Sequence, residues 1–432
     1  MSVKIELEEM SGQCAFVPLA VLGYCIGQTE LLQSVWQPLD IPMKTVVHKP
    51  LEKLQDVLVA ILAGCRSLRQ VNTKLRPDRV LAHAWQRKQF AEQSSLSRLL
   101  DTLTEEHVEQ LQAANTALLR QQSQLYQHNW QQAIIVDIDP TSLVTTKRAQ
   151  GSRKGWVSGQ RNQYCRHVIR FTLAGYHESL LSMIYPGNGH GYEYCKPALK
   201  QLFALWPHLT EHANQVIIRS DAEQGTDQNI SYMLWLGCQL LLKGYSGKRT
   251  QSWVAQLQAD DWHADPENDN RWMAYAPRRL QLGRSLDSYL LRWVGAKQKM
   301  AYATLHSTLT LPHFQLWHLY DQRAATELEI RADKSGLLLH LRRKQSLTAQ
   351  AAWIILTDIA HNLIAWLQPW MLADSAFSHF GPKRIVNDLL NIPGHIFIEN
   401  GRLQRVSLWG SHPYAPEMRF CIEKLLKTFD LY

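Results

Sequence analysis

The feature that most constrains the fold of this sequence is a series of short apolar runs, separated by turn and helix patterns, between residues 132 and 243. Runs of this length, rich in β-branched residues, predict buried strands. Residues 175–178 predict a hairpin between the second and third runs, and two segments between the later runs predict helices. The predicted strands are 132–139, 166–174, 179–185, 216–220 and 239–243, and the predicted helices are 197–206 and 229–236.

The resulting order is strand, two hairpin strands, helix, strand, helix, strand, which resembles the order of a ribonuclease-H-like α/β core. We therefore predict an α/β protein with a helical N-terminal domain and a β-rich insertion before a late helix that carries Glu327. The predicted regions are 1–132, a helical domain; 133–244, the first part of the core; 245–312, the insertion; 313–372, the second part of the core; and 373–432, the C-terminal region. The helical domain could serve DNA-end binding, dimer contacts or support, and the sequence does not decide among these.

Composition narrows the possible functions. The formal net charge is +8, and basic residues cluster near positions 147–154, 243–249, 278–279 and 342–344, which fits a polyanionic partner such as nucleic acid. The seven cysteines form no CxxC pair, which argues against a disulfide framework or a structural zinc site. There is no signal-peptide pattern and no uninterrupted apolar run of membrane-spanning length, so we expect no membrane association and a cytoplasmic location.

Three acids lie where a metal site could form. Asp139 follows the first predicted strand, Asp221 follows the fourth, and Glu327 lies on a helix after the insertion. Carboxylates that converge from distant positions can hold two Mg²⁺ ions about 3.5–4 Å apart. Asp137 lies on the same strand face as Asp139 and is the reserve ligand. Taken alone, Asp221 could equally be a helix N-cap, so the interpretation depends on the combination.

One helical face carries four polar side chains of different chemistry. Tyr320, Arg323, Glu327 and Lys334 have offsets of 0, 3, 7 and 14, so all four fall within about 60° of one face. A carboxylate can bind metal, and Arg and Lys can bind phosphates. The alternative is an exposed helix with an Arg323–Glu327 pair four residues apart.

The spacing Tyr-x2-Arg-x3-Glu-x6-Lys resembles the signature of DDE transposases of the bacterial insertion-sequence-four-like superfamily. The stretches DIDPTSL and IIRSDAEQG resemble the first two catalytic blocks of that family. The helical front, followed by KRAQGSRKGW and the GNGHG turn, looks closest to the insertion-sequence thirteen-eighty branch.

This resemblance implies Mg²⁺-dependent DNA strand cleavage and transfer at terminal inverted repeats, with two metal ions and with Mn²⁺ able to substitute. It implies that Asp139, Asp221 and Glu327 are catalytic metal ligands, and that Tyr320, Arg323 and Lys334 bind phosphates of double-stranded DNA at the transposon ends. In related enzymes an insertion-domain Trp stacks on a flipped base, for which Trp293 is the candidate. The enzyme would act on end and target DNA as a homodimer in a synaptic complex.

Two other functions remain open from the sequence. The chain could be a domesticated DNA-binding protein that has kept the fold and lost the chemistry. It could also be a metal-dependent nuclease without strand transfer, which would use the same acids.

Overall fold

The structure, a computed structural model, describes residues 11–43, 47–284, 286–295, 298–323 and 333–432. The chain forms two compact units. Unit 1 comprises Met1–Gln122 and Arg331–Tyr432, and unit 2 comprises Ser123–Ile330. Unit 1 is therefore built from both ends of the sequence, with unit 2 inserted between them.

The described α-helices are, in chain order, α1 Val17–Gln28, α2 Leu31–Trp36, α3 Pro50–Leu62, α4 Arg79–Ala84, α5 Gln93–Thr102, α6 Glu105–Gln122, α7 Gly191–Leu205, α8 Pro207–Glu211, α9 Asp227–Trp235, α10 Gly247–Val254, α11 His313–Asp321, α12 Leu347–Leu367, α13 Pro382–Arg384 and α14 Ala415–Thr428. The helical pattern predicted for the first 132 residues is present as α1–α6. The helix predicted to start near residue 318 starts earlier, at His313.

The described strands are β1 Gln13–Cys14, β2 Ile134–Val144, β3 Arg153–Val157, β4 Gln160–Leu173, β5 Glu178–Pro186, β6 Val216–Ser220, β7 Gln239–Lys243, β8 His263–Asp265, β9 Asn268–Tyr275, β10 Asp287–Val294, β11 Met300–Ser307, β12 Gly394–Glu399 and β13 Arg402–Leu408. In unit 1, β1, β12 and β13 form a small sheet.

Ten of the described strands form one mixed sheet in unit 2. Its order is β3-β4-β2-β6-β7-β11-β10-β9-β8, and β5 pairs with β4. The central neighbours β2, β6 and β7 are parallel, whereas β4 runs antiparallel to β2. These central strands are apolar because the sheet buries them, and Val216–Ser220 is buried at every position.

The prediction that the first strand ends in a loop at Pro140 is wrong. β2 continues to Val144 and pairs with β4 from Val136 onwards, with Pro140 opposite Ile169. The parallel pairing with β6 stops at Ile138. Beyond that point β6 makes no ladder bond with β2, so a residue without an N–H group is tolerated there.

Strands β8–β11, between residues 245 and 312, extend the same sheet, because β11 pairs antiparallel with β7. Leu241 of β7, Leu291 of β10 and Leu305 of β11 share one hydrophobic cluster with Tyr320 of α11. This packing fixes α11 against the face of the sheet.

Unit 1 has α12 at its centre, and α12 packs against α3, α5 and α6. The hydroxyl of Ser346 caps its start by accepting from the Ala349 N–H. Its apolar sequence is interrupted by buried polar groups, among them His361, whose Nδ1 lies 2.9 Å from Oδ1 of Asp333. In the described part of the chain, no helix combines the length and apolar character needed to cross a membrane.

Candidate active site

Two acids lie side by side where the parallel pairing of β2 and β6 stops. The last parallel pair joins Ile138 to Ser220; Asp139 is the next residue of β2, and Asp221 directly follows β6. Neighbouring strands lie about 4.8 Å apart, so the register alone brings two chain-distant carboxylates together. The carboxyl ends of α/β sheets are where such folds place their sites.

Asp221 also stabilises the turn that follows β6. Its backbone is extended, and its side chain accepts from the N–H of Glu223 at 3.0 Å. The capping role considered from the sequence is therefore real, and it fixes the carboxylate of Asp221 at the strand end. Burial raises the pKa of Asp221. The positive charge of Arg323 lowers this pKa in part, and the negative charge of Glu223 raises it further.

Arg323 brings positive charge to both acids. It lies two residues beyond the end of α11 and is 8% exposed. Its Nη1 donates to Oδ1 of Asp139 at 3.0 Å, and its charge also acts on Asp221. The guanidinium thus offsets repulsion between the two carboxylates.

The reserve ligand Asp137 is engaged elsewhere. Both of its oxygens accept from Arg219 of β6, at 2.6 Å from Nε and 2.7 Å from Nη2. Both side chains are almost fully buried. Arg219 also donates to the carbonyl oxygen of Leu319 in α11, so this pair connects β2, β6 and α11 beneath the acids. We infer a structural role for Asp137 rather than metal binding.

The two predicted aromatic contacts lie near one lysine. Tyr320 is 4% exposed and belongs to the hydrophobic cluster, against which Trp293 also packs. The Nζ atom of Lys243, the last residue of β7, lies 4.7 Å from the ring centre of Tyr320 and 5.6 Å from that of Trp293. Contact of these rings with DNA stays a prediction, and no spacing in the sequence indicates this position of Lys243.

Two of the predicted residues fall outside this geometry. Glu327 lies outside the described residues, so the structure gives no position for the third predicted ligand. Lys334 belongs to unit 1, where its carbonyl oxygen contacts Nδ1 of His340. Its predicted phosphate contact stays a prediction.

The donor set fits a divalent cation in its chemistry. Asp139 and Asp221 provide the oxygen ligands that Mg²⁺ prefers. Within the ranges described above, no group of three His, Cys, Asp or Glu side chains is arranged to hold a metal ion, so these two acids need a further ligand. A cation would also offset the burial that raises the pKa of Asp221.

Glu223 is a further acid of this site that the sequence did not single out. Its Oε1 accepts from the N–H of Gly191 at 2.7 Å, at the start of α7. The charges of these acids also act on Tyr185. Burial raises the pKa of its hydroxyl most, and the negative charges of Glu223 and Asp221 raise it further. The site thus brings the charges of Asp221 and Glu223 close together, with Arg323 acting on Asp221 and bonded to Asp139.

The mixed sheet thus places Asp139 of β2 beside Asp221, which follows the parallel strand β6. The chain belongs to the family described as transposase DDE domain group 1, whose sequence profile matches residues 19–429. The predicted membership of the DDE transposases is confirmed at this level. This family supports function as a DNA transposase, an enzyme that cleaves DNA and transfers strands.

Solved structures show more distant likeness. A cryo-EM structure of the piggyBac transposase synaptic complex with hairpin DNA aligns with a TM-score of 0.42 and 12% identity, over 83% of this chain and 77% of that chain. A crystal structure of a pre-cleavage Mos1 transpososome aligns with a TM-score of 0.18 and 12% identity, over 46% of this chain and 61% of that chain. A search of curated proteins finds no match.

Proposed function

We propose that this chain is a cut-and-paste DNA transposase that cleaves and joins DNA at the terminal inverted repeats of an insertion sequence. The observation that carries this proposal is the adjacent placement of Asp139 and Asp221, where the parallel pairing of β2 and β6 stops, in a chain of the transposase DDE family. Neighbouring strands that bring two acids together suit metal-assisted phosphoryl transfer.

We further infer that β5-β4-β2-β6-β7 is a ribonuclease-H-like core. The support is the strand order, with β4 antiparallel and β6 and β7 parallel to β2. The Tyr320, Arg323, Glu327 and Lys334 spacing supports assignment to the insertion-sequence-four-like superfamily, and the sequence around residues 147–156 supports the thirteen-eighty branch.

In this mechanism Asp139, Asp221 and Glu327 would hold two Mg²⁺ ions, which Mn²⁺ could replace. Bound metal would activate the attacking water or 3′-hydroxyl and stabilise the leaving oxygen. Arg323, which donates to Asp139, would hold the acid pair together and bind a DNA phosphate. Lys334 binds a second phosphate in this proposal, and Tyr320 supports Arg323 from below.

The proposed partners are double-stranded terminal repeats and target DNA, held by a homodimer in a synaptic complex. The net charge of +8 favours phosphate binding. Trp293 is proposed as a base-stacking residue of the end complex. The proposed location is the cytoplasm, where the DNA substrate of a bacterial insertion sequence lies.

The test uses purified protein and a DNA fragment that carries the inverted repeats flanking the gene, with Mg²⁺ or Mn²⁺ and a target plasmid. We expect end cleavage and integration by the parent protein. Asp139→Asn, Asp221→Asn and Glu327→Gln should abolish both and leave DNA binding intact, because each amide keeps the size of the side chain and removes the charge that binds metal. The exposed Asp269→Asn is the matched control.

Other outcomes identify other functions. Full cleavage by Glu327→Gln would overturn the assignment of that ligand. Cleavage without integration would point to a nuclease, and binding without metal-dependent cleavage would point to a domesticated DNA-binding protein.

A further inference from the structure

The hairpin formed by β3 and β4 carries positive charge that the acidic site does not use. Arg153, Lys154 and Arg161 are all exposed. Within the residues that the structure describes, none of the three forms an ion pair with a carboxylate. Exposed cations that no acid neutralises attract a polyanion.

The same hairpin exposes an aromatic ring. Trp156 is 53% exposed, and the guanidinium of Arg161 lies 5.5 Å from its ring centre. The β3–β4 register shifts beside Trp156, between Gly155 and Val157, and Asn162 opposite has a φ of 62°. Such irregularities often re-aim a side chain away from the regular sheet face. Arg161 covers one face of the ring at most, which leaves the other for stacking.

A cavity of about 400 Å³ lies between this hairpin and the acidic site. A volume of this size suits a small ligand or one nucleotide unit. Its lining joins the hairpin to the segment directly after Asp139, and it includes Thr141, Lys154, Trp156, His167, Asn188 and His190. Hydroxyl, amide and imidazole groups can bond to base edges or phosphates.

Internal contacts hold the hairpin beside the cavity. Nε2 of His167 lies 3.0 Å from the carbonyl oxygen of Gly187, and Nδ1 lies 3.0 Å from Oγ of Ser142. Oγ of Ser142 is also 3.3 Å from the carbonyl oxygen of Trp156. A side chain at Gly155 would collide with the backbone of Gly187, so glycine permits this close approach. These contacts therefore hold the β3–β4 hairpin in a fixed position beside the cavity.

We propose that the β3–β4 hairpin binds an unpaired stretch of DNA beside the acids, with one base stacked on Trp156 and the flanking phosphates held by Lys154 and Arg161. This rests on the proposed function in that DNA is the substrate. The combination of exposed aromatic ring and cations is the arrangement by which proteins bind single strands. It adds Trp156 as a second stacking residue, distinct from Trp293, which packs against the hydrophobic cluster and lies near Lys243.

The test uses full-length protein and an oligothymidylate of about 20 nucleotides that carries one 5-iodouracil, a photo-cross-linker of aromatic side chains. Cleavage by trypsin after Lys154 and Arg161 releases residues 155–161 as one peptide. We expect this peptide to carry the cross-linked nucleotide. Trp156→Ala should weaken binding about tenfold, whereas Trp156→Phe should retain most of it. Lys154→Gln with Arg161→Gln should reduce the slope of log K against log salt by about 1.4.

Trp235→Ala is the matched control, because Trp235 is 76% exposed on α9 and lies outside the hairpin. Absence of binding, cross-linking only outside residues 155–161, or unchanged affinity of Trp156→Ala would each overturn the proposal. The readout does not need cleavage. Cross-linking without metal-dependent cleavage would support DNA binding by the hairpin and contradict the proposed transposase chemistry. Normal cleavage together with unchanged DNA affinity of Trp156→Ala would support the chemistry and contradict the role of the hairpin.

Discussion

Arg323 donates a hydrogen bond to Asp139 across 184 residues of sequence, with 3.0 Å between Nη1 and Oδ1. The carboxylate proposed as a metal ligand is thus already neutralised by a cation of the protein. In a metal-free protein this contact takes over part of the charge compensation that a metal ion provides when bound.

This contact predicts a stability effect that depends on metal. Arg323→Gln removes the charge that acts on Asp139 and Asp221, so the metal-free variant should lose about 1 kcal/mol of stability. Mn²⁺ should then raise its melting temperature more than that of the parent protein, because metal replaces the missing charge and binds only the folded state. Differential scanning calorimetry with and without Mn²⁺ measures both effects. Equal metal-induced shifts in the two proteins would contradict the interpretation.

Asp137 and Asp139 should differ sharply when each is changed to Asn. Asp137→Asn leaves the buried charge of Arg219 without its partner, which costs about 3–5 kcal/mol. Asp139→Asn leaves Arg323 the charge of Asp221 as a partner and should therefore cost less, about 1 kcal/mol. Urea unfolding followed by circular dichroism measures both values. A stable Asp137→Asn protein that has lost metal-dependent cleavage would instead make Asp137 a ligand.

His306 should make stability depend on pH. Burial, and then the charge of Arg249, lower its pKa to about 4, while its Nδ1 lies 2.8 Å from Oγ of Ser288. The unfolded chain takes up a proton near pH 6.5. The contribution of neutral His306 to the free energy of unfolding is therefore fully present above pH 6.5. It decreases by about 3 kcal/mol in all as the pH falls towards 4.

The measurement is the free energy of unfolding at several pH values between 4 and 7. In His306→Gln, which keeps a polar group near Ser288, the decrease across this window should be smaller by about 3 kcal/mol. Parallel curves for the two proteins would show that His306 does not titrate in this way.

Gly155 should tolerate no side chain. A methyl group there would collide with the carbonyl oxygen of Gly187, a backbone atom that cannot move alone. Gly155→Ala should destabilise the protein by about 1–3 kcal/mol and reduce photo-cross-linking at Trp156, because the hairpin shifts. Gly247→Ala is the control, since no atom lies within 4 Å of the added carbon. Thermal unfolding of both variants provides the comparison, and equal melting temperatures would be inconsistent with a fixed hairpin.

The sequence predicted the central parallel strands well. The bounds of β6 and β7 match to the residue, because strands buried on both faces are short continuous apolar runs. β3 was not predicted as a strand, since RKGWV has neither an apolar run nor an alternation. Its pairing with β4 depends on the turn at Ser158 and Gly159, both with positive φ.

The site was predictable only in part, for a related reason. Acids at matching positions of neighbouring parallel strands must lie close together, so the adjacency of Asp139 and Asp221 follows from the strand order and register. The bond between Asp137 and Arg219 joins residues 82 positions apart, and spacing carries no signal for it. The position of Lys243 beneath Tyr320 likewise depends on how α11 packs on the sheet.

The division of unit 1 between the two ends of the sequence has a consequence for synthesis on the ribosome. Helices α3, α5 and α6 pack against α12, which is translated after the whole of unit 2. Residues 123–330 are contiguous, so the sheet with its acids can fold while α3, α5 and α6 still lack their main partner. The apolar faces of α3, α5 and α6 therefore stay uncovered until α12 has been synthesised. Chaperones that bind apolar surfaces would act on residues 50–122 during this interval.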